Sequence, residues 1–144
     1  MIRYLSAKTI LVLHSEVIDA SGGSHGVREP GLLAAIADKP CAALGGTNLY
    51  PDLFTKAAVY LEAVANYHVF IDGNKRTSFV VAARFLFENS YDFIATDKGI
   101  ESFVLEVARD KTSITDIAVW LATHARKISA RRKARMTKPR KKKR

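Results

Sequence analysis

The chain has 144 residues, a length that suits one domain with a buried core. Its 23 Lys and Arg against 14 Asp and Glu give a formal charge of +9, which by itself suggests a nucleic-acid binder. Twelve of the cations and no acid lie in residues 126–144, leaving 11 basic and 14 acidic side chains in residues 1–125, a charge of −3. We therefore predict a folded domain, 1–125, and a basic, disordered tail, 126–144.

Composition excludes several classes of protein. Hydrophobic residues make up 48% of the chain, which is ordinary for a globular domain and excludes disorder throughout. No uncharged apolar run approaches the roughly 18–20 residues that cross a bilayer, so we expect no membrane partner. The N-terminus lacks the pattern of a secretory signal. Cys41 is the only cysteine, so no internal disulfide can form, and we expect a cytoplasmic protein.

Apolar residues at helical spacing, with capping residues before them, predict an all-α bundle of about six helices. In chain order, these run from Ser6 to Gly22, from Pro30 to Lys39, from Pro51 to about Tyr67, from about Lys75 to Glu88, onward from Asp97, and onward from Ser113. Residues 91–95 are expected to be extended without forming a sheet. The two most apolar helices, the third and fourth, enclose one irregular polar loop.

That loop, residues 68–77, reads His-Val-Phe-Ile-Asp-Gly-Asn-Lys-Arg-Thr. Gly73 and Asn74 lead into a helix whose first N–H groups and positive dipole end make a site for an anion. Lys75 and Arg76 lie in the first helical turn, where cations do not stabilise the helix itself. An anionic ligand such as a phosphate is therefore expected there.

Two further residues of the loop suit phosphate chemistry. Asp72 beside a phosphate site could hold Mg²⁺, which takes one or two carboxylates together with phosphate oxygens. His68 could act as general base toward a hydroxyl nucleophile near neutral pH. The loop thus predicts transfer of a phosphate-containing group from a nucleotide.

The pattern His68-x-Phe-x-Asp-Gly-Asn-Lys-Arg76 also resembles the signature of the Fic/Doc superfamily, and within it the death-on-curing (Doc) toxin branch. The likeness extends over about residues 4–122 and leaves the tail outside it. Further matching segments follow in the expected order: Gly22-Gly23, Gly26-Val27-Arg28, Gly31-Leu32-Leu33, Tyr50-Pro51-Asp52-Leu53-Phe54 and Lys56-Ala57-Ala58.

The resemblance implies a Fic fold, all-helical, with the loop between the two central helices as active site. Fic enzymes transfer AMP from ATP to a hydroxyl of a target protein. Doc-type toxins are instead kinases that use ATP to phosphorylate a threonine of elongation factor Tu, which halts translation. A Phd-type antitoxin normally inhibits such a toxin through a C-terminal segment that binds a groove in the helical body.

The positions that match the motif imply individual roles. His68 would be the general base, Asp72 the carboxylate that holds magnesium or orients the substrate, and Lys75 the third catalytic residue. The nucleotide phosphates would be bound by four neighbouring residues: Gly73, Asn74, Lys75 and Arg76. Phe70 would anchor the loop in the core.

The chain departs from both patterns of the superfamily. The Fic pattern has a second glycine where this chain has Lys75, and an arginine where it has Phe79. The Doc pattern commonly has alanine at the position of Gly73, and many relatives have proline at that of Val69. A bulky cation in place of the second glycine favours the kinase over AMP transfer.

The tail leaves two interpretations open. It is either a solvated, non-specific basic segment or an electrostatic attachment to nucleic acid or the ribosome. Its first part, 126–135, could extend the sixth helix. A third hypothesis for the whole protein is a non-catalytic nucleic-acid binder that acts through this tail.

Overall fold

A computed structural model describes residues 1–138 and confirms the predicted all-α bundle. Seven helices are present in these residues: α1 (Ala7–Ser21), α2 (Pro30–Asp38), α3 (Leu53–Asn66), α4 (Asn74–Glu88), α5 (Asp97–Asp110), α6 (Ile114–Thr123) and α7 (Ala130–Thr137). Two short antiparallel pairs accompany them: β1 (Ala43–Leu44) with β2 (Thr47–Asn48), and β3 (Tyr91–Phe93) with β4 (Ala125–Lys127).

Side-chain caps set where the helices begin. Ser6 and Ser113 accept hydrogen bonds from the backbone N–H groups three residues later, as their sequence positions predict. Asp52 caps α3 in the same way, so this helix begins at Leu53, two residues after the predicted proline. Thr96 caps α5, one residue before the predicted Asp97.

The third helix, α3, lies at the centre of the bundle. Its residues from Lys56 to Leu61 and from Ala63 to Ala65 are buried. Because other parts of the protein cover this helix on all sides, its own sequence is apolar nearly all round. Helices α4, α5 and α6 pack against it, and α1 packs against α4. The loop between α3 and α4 therefore joins the central helix to a helix that packs against it.

The N-terminal segment is attached to this core by buried polar groups. The Tyr60 hydroxyl accepts a hydrogen bond from the Leu5 backbone N–H at 3.0 Å, and burial raises the pKa of this phenol to about 12. The Lys56 ammonium is also buried, donates to the Pro40 carbonyl at 3.0 Å, and lies 5.3 Å from the centre of the Tyr4 ring.

Two expectations for the C-terminal part are wrong. Residues 91–93 form a strand, because β4 supplies the backbone partners, with Tyr91 opposite Lys127. Residues 126–138, expected to be disordered or to lengthen α6, instead form β4 and the separate helix α7. Pairing with β3 and burial of Ile128 stabilise this segment, and neither is visible in its basic composition. The remaining tail, 139–144, lies outside the described residues.

The lone cysteine lies on the surface. The Cys41 side chain is exposed and donates to the Asp38 carbonyl at 3.0 Å. Among the helices of residues 1–138, none is long and apolar enough to span a membrane.

Replacing Tyr60 with phenylalanine should lower the free energy of unfolding by about 1–3 kcal/mol, because it leaves the buried Leu5 N–H without an acceptor. Urea denaturation followed by circular dichroism measures this change. Tyr4→Phe is the matched control, since it removes a hydroxyl from a side chain that is 40% exposed. Equal stability of both variants would contradict the role given to the Tyr60 hydrogen bond.

Candidate functional site

The loop between α3 and α4 lines a cleft of about 780 Å³. The first turn of α4 forms its floor, and α5 forms the opposite wall with Ile100, Val104 and Leu105. All six predicted site residues line this cleft: His68, Asp72, Gly73, Asn74, Lys75 and Arg76. The tertiary structure thus brings together every candidate that the sequence singled out.

Phe70 anchors the loop in the core. Its ring has no exposed surface and stacks on the His14 ring, with centroids 3.8 Å apart and the planes within 3° of parallel. The Asn74 side chain forms a pair of hydrogen bonds with the Phe70 backbone, accepting at 3.0 Å from the N–H and donating at 2.9 Å to the carbonyl. The Asn74 side-chain amide therefore fixes the conformation of the loop. Its backbone N–H is the group of this residue that can bind a ligand.

His14 is a supporting residue that the sequence did not mark as functional. It is buried on α1, and its Nε2 lies 2.7 Å from the Asp72 carbonyl oxygen. Because a carbonyl only accepts, Nε2 must carry the proton of this bond. His14 thereby connects the backbone of Asp72 to α1 and fixes its position. The only signal in the sequence was its place near the apolar face of α1.

The segment before α2 supports the loop from its other side. The Arg28 N–H donates to the Val69 carbonyl at 2.8 Å, and the Ile71 N–H donates to the Gly26 carbonyl at 3.1 Å. These bonds satisfy backbone groups of a loop that has no regular secondary structure. Both neighbours of Phe70 are held in this way, so the backbone of the loop is fixed before any ligand binds.

The Asp72 carboxylate is held by backbone donors. Its Oδ2 accepts from the Ser24 N–H at 3.0 Å, and its Oδ1 accepts from the Gly73 N–H at 2.8 Å. These two bonds, with a smaller effect from Arg76, hold the pKa of Asp72 below its ordinary value of 3.8. The carboxylate is therefore ionised at neutral pH, and it is half exposed to the cleft.

Arg76 makes more contacts within the protein than its position in the sequence suggested. Its Nη1 donates at 2.6 Å to both the Ser21 hydroxyl and the Gly22 carbonyl, at the C-terminal end of α1. Its Nη2 lies 3.7 Å from Asp72 Oδ1. The guanidinium thus bridges α1 to the carboxylate, where the negative end of the α1 dipole also favours a cation.

His68, Lys75 and Arg76 are the exposed candidate residues of the cleft, and Arg76 differs from the other two because its side chain is bonded to Ser21 and Gly22. Within the part of the chain that the structure describes, the imidazole and the ammonium have neither a hydrogen bond nor an ion pair. The backbone of His68 has φ +53°, a left-handed conformation that is strained for a residue with a side chain. This turn of the chain directs His68, the second residue after α3, to the cleft.

The N-terminus of α4 lies where the sequence predicted an anion site. Gly73 occupies the cap position with φ +76° and has no side chain to accept from the first N–H groups of the helix. The Thr77 N–H is the first to bond within the helix, to the Gly73 carbonyl at 2.9 Å. The N–H groups of residues 74–76 consequently remain for a ligand.

Together these features define a class of molecule: an all-helical domain whose cleft holds the N-terminus of a helix and an imidazole that has no partner within residues 1–138. Residues 4–86, more than half of the chain, match the sequence profile of the Fic/DOC family. The Toxin Doc of Mycolicibacterium smegmatis is 37% identical over 128 residues, covering 87% of this chain and 95% of that protein. The Protein kinase doc of Escherichia phage P1 is 31% identical over 128 residues, covering 89% of each chain.

The chain therefore belongs to the Fic/DOC family. Both relatives are Doc proteins, so the resemblance to the Doc branch that the loop motif indicated is confirmed. The match also agrees with the fold, since residues 4–86 extend from the segment before α1 almost to the end of α4.

Replacing Gly73 with alanine should lower the free energy of unfolding by about 1–2 kcal/mol, since a side chain is strained at a positive φ. The added Cβ would also lie 2.8 Å from the Ile18 methyl and 3.7 Å from His14 Nε2. Gly31→Ala, in α2 with no atom within 4 Å of the new Cβ, should leave stability unchanged or slightly raised. Urea unfolding of both variants tests this, and an equal effect would contradict it.

Proposed function

We propose that this protein is a Doc-type toxin kinase that transfers the γ-phosphate of ATP to a threonine hydroxyl of elongation factor Tu. The observation that supports it best is the arrangement in one cleft of an unpaired imidazole, an unpaired ammonium and free helix N–H groups. One relative is named Protein kinase doc, which agrees with this chemistry. The cytoplasm, where translation takes place, is then the place of action.

The phosphates of ATP would bind at the N-terminus of α4. Backbone N–H groups of residues 74–76 and the positive end of the helix dipole favour the negative charge. The Lys75 ammonium would neutralise the phosphoryl oxygens, because this exposed cation lines the cleft and has no partner among residues 1–138. Arg76 would add a donor while it continues to bridge α1 and Asp72.

His68 would act as the general base. The threonine hydroxyl oxygen attacks the γ-phosphorus, a new O–P bond forms, and the bond to the bridging oxygen breaks. The hydroxyl proton passes to the unpaired imidazole of His68, and the electron pair of the broken bond leaves with ADP. The rigid backbone around Phe70 would hold the imidazole in place, because the loop is hydrogen-bonded on both sides.

Asp72 is suited to hold a magnesium ion. Its carboxylate is ionised, half exposed and part of the cleft lining, and one carboxylate with phosphate oxygens is a usual magnesium environment. In residues 1–138 no three His, Cys, Asp or Glu side chains form a metal cluster, so the other ligands would be phosphate oxygens and water. Magnesium would neutralise charge on the transferred group.

The side chain at position 75 favours γ-phosphate transfer over AMP transfer. The Fic pattern has glycine there, which lets a phosphate approach the backbone closely. In this chain the Lys75 side chain occupies the cleft at the same turn of α4. A nucleotide would then present its terminal phosphate to the ammonium, and the hydroxyl of the protein substrate would approach the γ-phosphorus from the side of His68.

An antitoxin is the partner that this function implies. One relative bears the name Toxin Doc, and toxins of this kind act in toxin–antitoxin systems. We propose a Phd-type antitoxin that inhibits the kinase by binding to the helical body. Co-purification with the product of a neighbouring small reading frame would support this assignment.

Incubation with intact elongation factor Tu and ATP labelled on the α- or the γ-phosphate tests the reaction. The proposal expects label on the protein from γ-labelled ATP and none from α-labelled ATP. Label from the α-position would show AMP transfer instead. Label from neither, with a folded protein, would contradict both reactions.

His68→Ala should reduce the transfer rate by about 10²–10⁴-fold, since it removes the general base but no buried contact. His25→Ala is the matched control, because His25 is an exposed histidine that pairs with Asp19 outside the cleft. Thermal unfolding of both variants should match the wild type. Full activity of His68→Ala would remove this residue from its assigned role.

A further inference from the structure

The last described helix, α7, is fixed to the body of the domain. Ser129 caps it by accepting from the Arg132 N–H at 3.2 Å. The Lys133 ammonium donates to the Glu88 carbonyl at 2.6 Å, at the C-terminal end of α4. Just before the helix, Ile128 is buried and its N–H donates to the Ser90 carbonyl at 2.8 Å. The basic side chains of α7 are thus presented by a folded element.

These contacts define which face of α7 points outward. Ala130, Lys133, Ala134 and Thr137 line a cavity shared with Met1 and Glu88. At 100° per residue, the other side of the helix carries three arginines within an arc of about 100°. They are Arg131, Arg132 and Arg135, all exposed, and we call them the arginine face.

The arginine face has no neutralising charge. The last acidic residue of the sequence is Asp116, and residues 117–144 contain none. Of the nearest acids on the body, Glu88 is paired with Arg84 at 2.9 Å, and Asp92 lies opposite Arg126 across the β3–β4 pair. Within residues 1–138, none of the three arginines forms an ion pair. A surface of this kind attracts a polyanion.

We propose that the arginine face binds double-stranded RNA through its phosphates. Guanidinium groups match phosphate oxygens with paired hydrogen bonds and are weakly hydrated, which suits phosphate contacts. Residues 126–138 contain no aromatic ring on which an unpaired base could stack, which disfavours single strands. They also contain no Asn or Gln to read base edges, so binding should not depend on sequence.

The form of the double helix favours RNA over DNA. A-form RNA has a deep, narrow major groove, so the two rows of phosphates lie close to each other there. Three arginines on an eight-residue helix, about 12 Å long, offer a compact charge that fits such a concentrated field. An anionic membrane is a poorer partner, because Met136 is the one exposed large apolar residue of α7, and interfacial helices need an apolar face.

The test compares three proteins by fluorescence anisotropy with an RNA duplex of about 20 base pairs, over salt concentrations of roughly 50–200 mM. They are the wild type, the triple variant Arg131→Gln/Arg132→Gln/Arg135→Gln, and the control Lys8→Gln/Lys98→Gln/Lys111→Gln. The control removes the same charge from exposed positions elsewhere. Because α7 buries no residue of its own, the triple variant should unfold at the temperature of the wild type.

The triple variant should bind RNA more weakly, with a salt dependence about three units shallower on a log–log plot, one for each lost phosphate contact. The control should bind like the wild type. A DNA duplex of the same length should bind less tightly than the RNA, and phosphatidylserine vesicles should not bind. Equal losses in both variants, equal or tighter binding to DNA, or binding to vesicles would each overturn the proposal. Phosphotransfer by the triple variant, measured separately, distinguishes failure of this proposal from failure of the proposed kinase.

Discussion

The functional site depends on the burial of Phe70 within a loop that is otherwise polar. Its ring lies in the core against His14, and its backbone is closed on itself by the Asn74 amide. The contacts of Phe70 and Asn74 fix the loop, and their stabilisation offsets backbone strain at neighbouring positions. The backbone of His68 is strained in this way. This conformation leaves His68 exposed in the cleft.

The charged side chains of the site also differ in role: some are bonded within the protein, and one is exposed to the cleft without such a bond among residues 1–138. Cations in the first turn of a helix oppose the helix dipole, and Arg76 resolves this by reaching back to the C-terminal end of α1. Lys75 has no such partner among the residues that the structure describes, and it lines the cleft. Asp72 is ionised because backbone N–H groups hold it. Adjacent charged residues of one motif therefore have different structural roles.

Much of this site could be predicted from the sequence, because its six residues lie within nine consecutive positions at a helix start. The supporting residues could not be predicted in the same way. His14 is separated from Asp72 by 58 positions, and Ser24 from the same residue by 48. A hydrogen bond to a carbonyl or a carboxylate requires a suitable distance and angle between the two groups. A local sequence pattern does not show which distant residues meet these requirements.

The sequence by itself determined the first six helices, the caps at Ser6 and Ser113 and the motif, because the periodicity of apolar residues and the preference for capping side chains are local properties. It also determined that the positive charge belongs to residues 126–144. Only the tertiary structure decided that part of this segment is folded, since β4 forms by pairing with β3, more than 30 residues earlier. The strand partner and the burial of Ile128 are long-range contacts, so composition alone predicted disorder where packing produces a strand and a helix.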